Sequence, residues 1–95
     1  MKIPKTVKIG GYTYSVQYRD TLKETEKSDE CCGTCDMQTF EINILKSLKP
    51  KQKFSTFLHE CIEAYNHIMG MQMKHNQIVQ CETMVYDLFS QLTKR

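Results

Sequence analysis

The sequence has few residues that break regular structure and no long apolar run. Two prolines and four glycines occur in 95 residues, of which 40% are hydrophobic. This composition is unlike that of a disordered or collagen-like chain and predicts a folded core. Charged or amide side chains interrupt every apolar stretch, so none approaches the roughly 18 residues of a membrane-spanning helix, and no signal-peptide apolar region follows Met1. We therefore expect one domain, residues 1–95, in the cytoplasm and without a membrane partner.

The chain also lacks a strong excess of either charge. Thirteen Lys and Arg against eleven Asp and Glu leave a formal net charge of +2, which is too small for the basic surface typical of nucleic-acid-binding proteins. The five cysteines are an odd number. Without a secretory signal they predict reduced thiols or metal ligands rather than a disulfide framework. The sequence therefore disfavours a nucleic-acid partner and a disulfide-stapled fold.

Alternating apolar and polar residues predict three strands in the first half of the chain. From Tyr12 to Tyr18 every second residue is apolar, after a Gly10-Gly11 pair that suits a tight hairpin turn. A shorter strand containing Val7 and Ile9 precedes the glycines, and the alternation returns at residues 40–44. The charged segment 20–30 between them is left unassigned. We expect a three-stranded antiparallel sheet.

The second half of the chain changes to a helical period. After Pro50 one apolar stripe is formed by Phe54, Phe57, Leu58, Cys61, Ile62, Tyr65, Ile68 and Met69. This helix should end near Gly70. A second helix from about Asn76 has the stripe Ile78, Cys81, Val85, Leu88, Phe89 and Leu92. The predicted fold class is α+β, a three-stranded antiparallel sheet followed by two packed α-helices.

The first predicted helix concentrates residues that can bind a metal. His59 and Glu63 are four positions apart and therefore share a helix face, as the two ligands of an HExxH zinc motif do. Glu63 occupies the position of the second histidine in that motif. Glu60 occupies the position of the glutamate that acts as general base. We predict metal binding through His59 and Glu63, with Glu60 as the candidate catalytic base.

The second predicted helix can complete this site. His75 and Glu82 fall on one flank of it at helical spacing, and antiparallel packing of the two helices would bring them near His59 and Glu63. A site of His59, Glu63 and Glu82, with or without His75, suits Zn, Mn or Fe(II). The alternative is that these side chains form a solvated polar face.

The cysteines give a weaker signal. Cys32 and Cys35 form a single CxxC pair beside Cys31, and one such pair without a second is not specific for zinc. We favour a thiol-rich loop and leave a second metal site or a redox pair open. Cys61 and Cys81 lie on apolar stripes, which favours buried, unliganded thiols.

Short segments along nearly the whole chain carry a family resemblance. They are Lys2-Ile3-Pro4, Gly33-Thr34-Cys35-Asp36, Leu58-His59-Glu60, Glu63-Ala64 with Asn66, and His75-Asn76-Gln77-Ile78 with Glu82 and Tyr86. With these segments the sequence resembles small zincin-like metallopeptidases encoded by bacteriophages and prophages, in a branch with HExxEA in place of HExxH. The resemblance implies a minimal zincin-like fold in a bacterial host cell, with His59 as first ligand, Glu60 as general base, Glu63 in the second-ligand position and Glu82 as a distal carboxylate ligand.

Two functions follow as expectations. The first is a metal-dependent hydrolase, in particular a peptidase. The second is a non-catalytic phage accessory protein that binds a host or phage protein, for example one of a defence system, and uses His59, Glu63, His75 and Glu82 as a hydrogen-bonded network. Glu63 separates them. In a metal site its replacement by Ala should cost metal and leave the fold largely intact, whereas in a polar network it should lower stability with no change in metal.

Overall fold

The computed structural model describes residues 2–22 and 32–93. Its elements are β1 (Thr6–Ile9), β2 (Tyr12–Arg19), β3 (Gly33–Asp36), β4 (Glu41–Leu45), α1 (Pro50–Met69) and α2 (His75–Thr93). The strands form one sheet in the order β1-β2-β4-β3, α1 packs on that sheet, and α2 packs on α1. The predicted α+β class is confirmed. Within the described ranges neither helix is both long and apolar enough to cross a membrane.

The prediction of a three-stranded antiparallel sheet was wrong in strand number and direction. β1 and β2 form the expected antiparallel hairpin, and β3 and β4 form a second one, but β2 and β4 are parallel neighbours, with Ser15 opposite Glu41. The strand that the sequence analysis did not predict is β3. The apolar alternation did not predict β3, because Gly33–Asp36 contains no large apolar residue. Most of the unassigned segment 20–30, and Cys31 after it, lie outside the described residues.

Two tight turns set the hairpin registers. Gly10 and Gly11 have φ of 60° and 88°, and a two-residue turn with positive φ at both positions matches the twist of the flanking strands. The second turn depends on Asp36, whose Oδ1 accepts hydrogen bonds from the backbone N–H groups of Gln38 at 2.8 Å and Thr39 at 3.1 Å. These bonds favour the carboxylate and lower the pKa of Asp36. The turn places β4 directly after β3.

The core lies between the sheet and α1. Its buried members are Ile9, Tyr14, Val16, Ile42, Ile44, Phe54, Phe57 and Ala64. Helix α1 begins with Pro50, which needs no N–H partner in the first turn, and ends at Gly70 in the left-handed conformation. Both ends agree with the sequence prediction. Phe57 and Ala64 pack in this core, and the flank of α1 with His59 and Glu63 contacts α2.

Candidate metal centre

The predicted His and Glu cluster lies along the contact between α1 and α2. His59 and Glu63 are one helical turn apart on α1, and this (i, i+4) spacing brings their side chains together. His75 is the first residue of α2, and Glu82 lies two turns further along the same helix. The side chains of the site therefore come from two consecutive helices, which are joined by the short connection after Gly70.

His59 occupies the centre of the cluster. Its Nε2 lies 3.3 Å from Oε2 of Glu63, and its Nδ1 lies 2.9 Å from Oε1 of Glu82. The His59 side chain retains 18% of its exposure and that of Glu82 16%. Each ring nitrogen thus faces one carboxylate, one from each helix, in a partly desolvated setting.

Three of the predicted residues come close enough to share an ion. His59, Glu63 and His75 each offer a ligand atom, and these atoms lie within 4.8 Å of one another. The two imidazole rings are 5.4 Å apart between centroids. Ligand atoms bound to one ion at about 2.1 Å lie roughly 3–4 Å apart, so small side-chain rotations would bring them to coordination distance. No other group of this kind occurs within residues 2–22 and 32–93.

Glu82 is not one of the three residues that could share an ion, but it contacts one of them, His59. Its Oε1 pairs with Nδ1 of His59, and its Oε2 accepts a hydrogen bond from the Ser55 hydroxyl. A carboxylate on Nδ1 favours the tautomer with hydrogen there and leaves the Nε2 lone pair free for a metal. Ser55 did not figure in the sequence prediction. Its position four residues before His59, on the same helix flank, is the signal that could have indicated it.

Glu60 is buried where α1 packs against β3. It is only 8% exposed, and a Cβ built on Gly33 would lie 3.4 Å from its Cγ. The pKa of Glu60 is raised to about 7, chiefly by burial; His59 lowers it, and the carboxylates of Glu63 and Glu82 contribute to the rise. Near neutral pH Glu60 therefore exists in both protonation states.

The thiols near Glu60 favour the protonated form. Burial raises the pKa of Cys35 and of Cys61 to about 12, with the Glu60 carboxylate adding to the shift. The Cys35 Sγ also lies 3.9 Å from the thioether of Met37. Since the thiolate is the reactive and metal-binding form, these two residues act as apolar packing groups. Cys32 is exposed just before β3, so the two sulfurs of the CxxC pair lie in different surroundings.

No protein-family model, curated protein or solved structure matches this chain. The zincin-like resemblance stays a prediction from the quoted segments. Support for a function therefore comes from the side-chain geometry described above.

Proposed function

We propose that the protein is a divalent-metal-dependent hydrolase whose ion is held by His59, Glu63 and His75. The observation that carries the proposal is the convergence of these three ligand atoms, from two helices, within 4.8 Å. Two imidazoles and one carboxylate are the donor set of several catalytic zinc sites, which keep a further position for water or substrate. The same set suits Mn or Fe(II). The residues present therefore fit such an ion.

Ser55 and Glu82 would orient the first ligand. Glu82 accepts the hydrogen on Nδ1 of His59 at 2.9 Å, which directs the Nε2 lone pair toward the side of Glu63. The Ser55 hydroxyl donates to the second oxygen of Glu82. With both of its oxygens engaged, the Glu82 carboxylate has little freedom to rotate, and neither has the ring that it holds.

Glu60 would act as the general base. Its raised pKa of about 7 is close to the value at which a carboxylate exchanges protons efficiently at neutral pH. It follows His59 directly on α1, and its carboxylate interacts electrostatically with His59, Glu63 and Glu82. A bound divalent ion would polarise a substrate carbonyl and lower the pKa of water. We expect an amide or ester substrate, and a peptide in particular if the zincin-like resemblance is valid.

Metal titration tests the proposed ligands. Chelator-treated protein is titrated with Zn²⁺ and Mn²⁺ by calorimetry, beside His59→Ala, Glu63→Ala and His75→Ala. The matched control is His67→Ala, because His67 is an exposed histidine of the same helix. We expect about one equivalent in the parent and the control. In the three ligand variants we expect binding that is lost or at least roughly tenfold weaker. Absence of binding by the parent contradicts the proposal.

Hydrolysis of a fluorogenic casein by the metal-loaded protein tests the role of Glu60. We expect Glu60→Gln to retain the metal and to lose activity by a factor of about 100 or more, the usual contribution of a general base. Equal activity of the parent and Glu60→Gln would show that Glu60 is not the general base.

A non-catalytic binding protein is the second candidate, and the outer face of α2 favours it. Met84, Leu88 and Leu92 are 60%, 60% and 75% exposed. Together with Cys81 and Val85 they form an apolar stripe spaced like the seam between two helices. A helical segment of a host or phage protein is the partner that suits this stripe. The metal titration separates the candidates, because this function requires no ion.

A further inference from the structure

The short connection between α1 and α2 is held by one side chain. The Asn66 Oδ1 accepts a hydrogen bond from the backbone N–H of Met73 at 2.8 Å, and its Nδ2 donates to the carbonyl oxygen of Met73 at 3.3 Å. Both functional groups of the Asn66 amide are thus used on a single residue of the connection. The two hydrogen bonds hold the peptide units on both sides of Met73 and so fix its backbone.

This contact immediately precedes α2. Lys74 follows Met73, and its N–H donates to Oε1 of Gln77 at 2.8 Å, which caps the helix that His75 begins. The connection also contains Gln72 in the left-handed region, at φ 61°, a conformation that non-glycine residues adopt only when neighbouring contacts favour it. The bonds from Asn66 are contacts of that kind, and they hold the chain two residues before His75.

The remainder of α2 is attached to α1 by other contacts. The Phe54 ring lies 5.9 Å from Tyr86 and 5.6 Å from Phe89, between centroids, and Glu82 bonds to Ser55 and His59. Losing the Asn66 bonds would therefore loosen the start of α2, ahead of the buried Ile78, without detaching the helix. The side chain most affected would be His75, the one predicted ligand on that turn.

We propose that Asn66 is a positioning residue for metal binding: through Met73 it holds His75 where an ion can be shared with His59 and Glu63. The proposal rests on the metal site of the proposed function. Asn66 lies three residues after Glu63 on α1, so one helix provides two ligands directly and orients the third through the backbone of the connection.

Cobalt binding by the full chain tests this role. Chelator-treated parent, Asn66→Ala and Asn66→Asp are titrated with Co²⁺, whose visible absorption reports ligand number and geometry, and their urea midpoints are measured without metal. Asn66→Asp keeps the acceptor for the Met73 N–H and loses the donor. We expect Co²⁺ affinity to fall about 10–100-fold in Asn66→Ala, as for other outer residues of metal sites, and by a smaller factor in Asn66→Asp. The matched control is Asn76→Ala, an exposed asparagine beside His75, for which we expect parental affinity.

The His75→Ala background separates positioning from general destabilisation. If Asn66 acts through His75, Asn66→Ala should cause no further loss of Co²⁺ affinity there, and its visible spectrum should resemble that of His75→Ala. A loss of the same factor in both backgrounds would overturn the proposal. So would parental affinity and spectrum in Asn66→Ala, and in that case the metal site would stand. Absence of Co²⁺, Zn²⁺ and Mn²⁺ binding by the parent would overturn the metal site and this role together.

Discussion

The two helices are almost equal in length but are held in different ways. Four residues of α1 are buried, and the helix contacts β1, β3 and β4. One residue of α2 is buried, Ile78, and the helix packs on α1. The apolar contacts of α2 with α1 centre on the Phe54 ring, and its polar contacts are those of Glu82 with Ser55 and His59. Asn66 holds the connection that precedes α2.

The candidate metal centre therefore joins a firmly packed element to a weakly packed one. The position of α1 depends on burial of apolar surface, which contributes most of the stability of a small domain. The position of α2 depends more on the side chains that form the site itself. Anything that binds only the assembled site stabilises that arrangement, so we expect a bound ion to order α2 more than α1.

The largest difference between the helices should appear in matched phenylalanine substitutions. Phe57 on α1 is 6% exposed, whereas Phe89 on α2 is 41% exposed. We expect Phe57→Ala to lower the free energy of unfolding by about 3–5 kcal/mol, and Phe89→Ala by about 1–2 kcal/mol, since less of its ring leaves water on folding. Urea denaturation measures both.

Phe57→Leu keeps that comparison measurable if Phe57→Ala does not fold, because a smaller apolar replacement should cost about 1.5 kcal/mol or less. Equal losses for Phe57→Ala and Phe89→Ala would show that α2 is as firmly packed as α1.

Buried charge on α1 should make stability depend on pH. The pKa of Glu60 rises from 4.5 to about 7 on folding, so between these values the folded protein binds more protons than the unfolded chain. Its contribution to stability is then greatest below pH 4.5, falls as the pH rises through 7, and is constant above. The fall should amount to roughly 3 kcal/mol at most.

Glu60→Gln should remove this part of the pH dependence and gain stability relative to the parent between pH 5 and pH 8. Urea midpoints at the two pH values, with chelator present, measure the difference. Parallel pH profiles of parent and Glu60→Gln would contradict the prediction.

The contact between α1 and β3 should not tolerate a side chain at Gly33. A Cβ there would lie 2.5 Å from Cγ2 of Thr56 and 2.9 Å from the carbonyl oxygen of Asn43. We expect Gly33→Ala to cost about 1–3 kcal/mol, as overpacking usually does. Adding Thr56→Ser should recover part of the loss, because it removes one of the two clashes. Additive losses in the double variant would rule out that contact as the cause.

The smallest effect should come from the outer face of α2. Leu92 is 75% exposed, and alanine has a high helix propensity, so Leu92→Ala should change the free energy of unfolding by about 0.5 kcal/mol or less. A thermal melt beside the parent measures this. A large loss would mean that a partner copy or a further contact covers the stripe in solution.

Local sequence signals predicted much of the fold. The Gly10-Gly11 turn, the alternation in β2 and β4 and the limits of α1 all follow from the geometry of a few neighbouring residues. The parallel pairing of β2 with β4 does not, since strand partners distant in sequence leave no local pattern. β3 was missed for the related reason that its Gly33 fits α1 rather than presenting an apolar side chain.

The candidate site was predictable to a similar extent. The (i, i+4) spacing indicated His59 with Glu63, and helical spacing indicated a flank with His75 and Glu82. The sequence did not indicate which of His75 and Glu82 would lie with His59 and Glu63, or which would contact Nδ1 of His59. Both depend on how the two helices cross. That crossing is a property of the packed structure.

The parallel pairing at the centre of the sheet has a consequence for folding kinetics. Each hairpin can close over a short turn, but joining them requires contacts such as Arg19 Nε with Asn43 Oδ1, 24 positions apart. Closing such a span costs chain entropy before any contact repays it, and long-range pairing slows folding. The step that unites β2 with β4 is therefore expected to limit the folding rate.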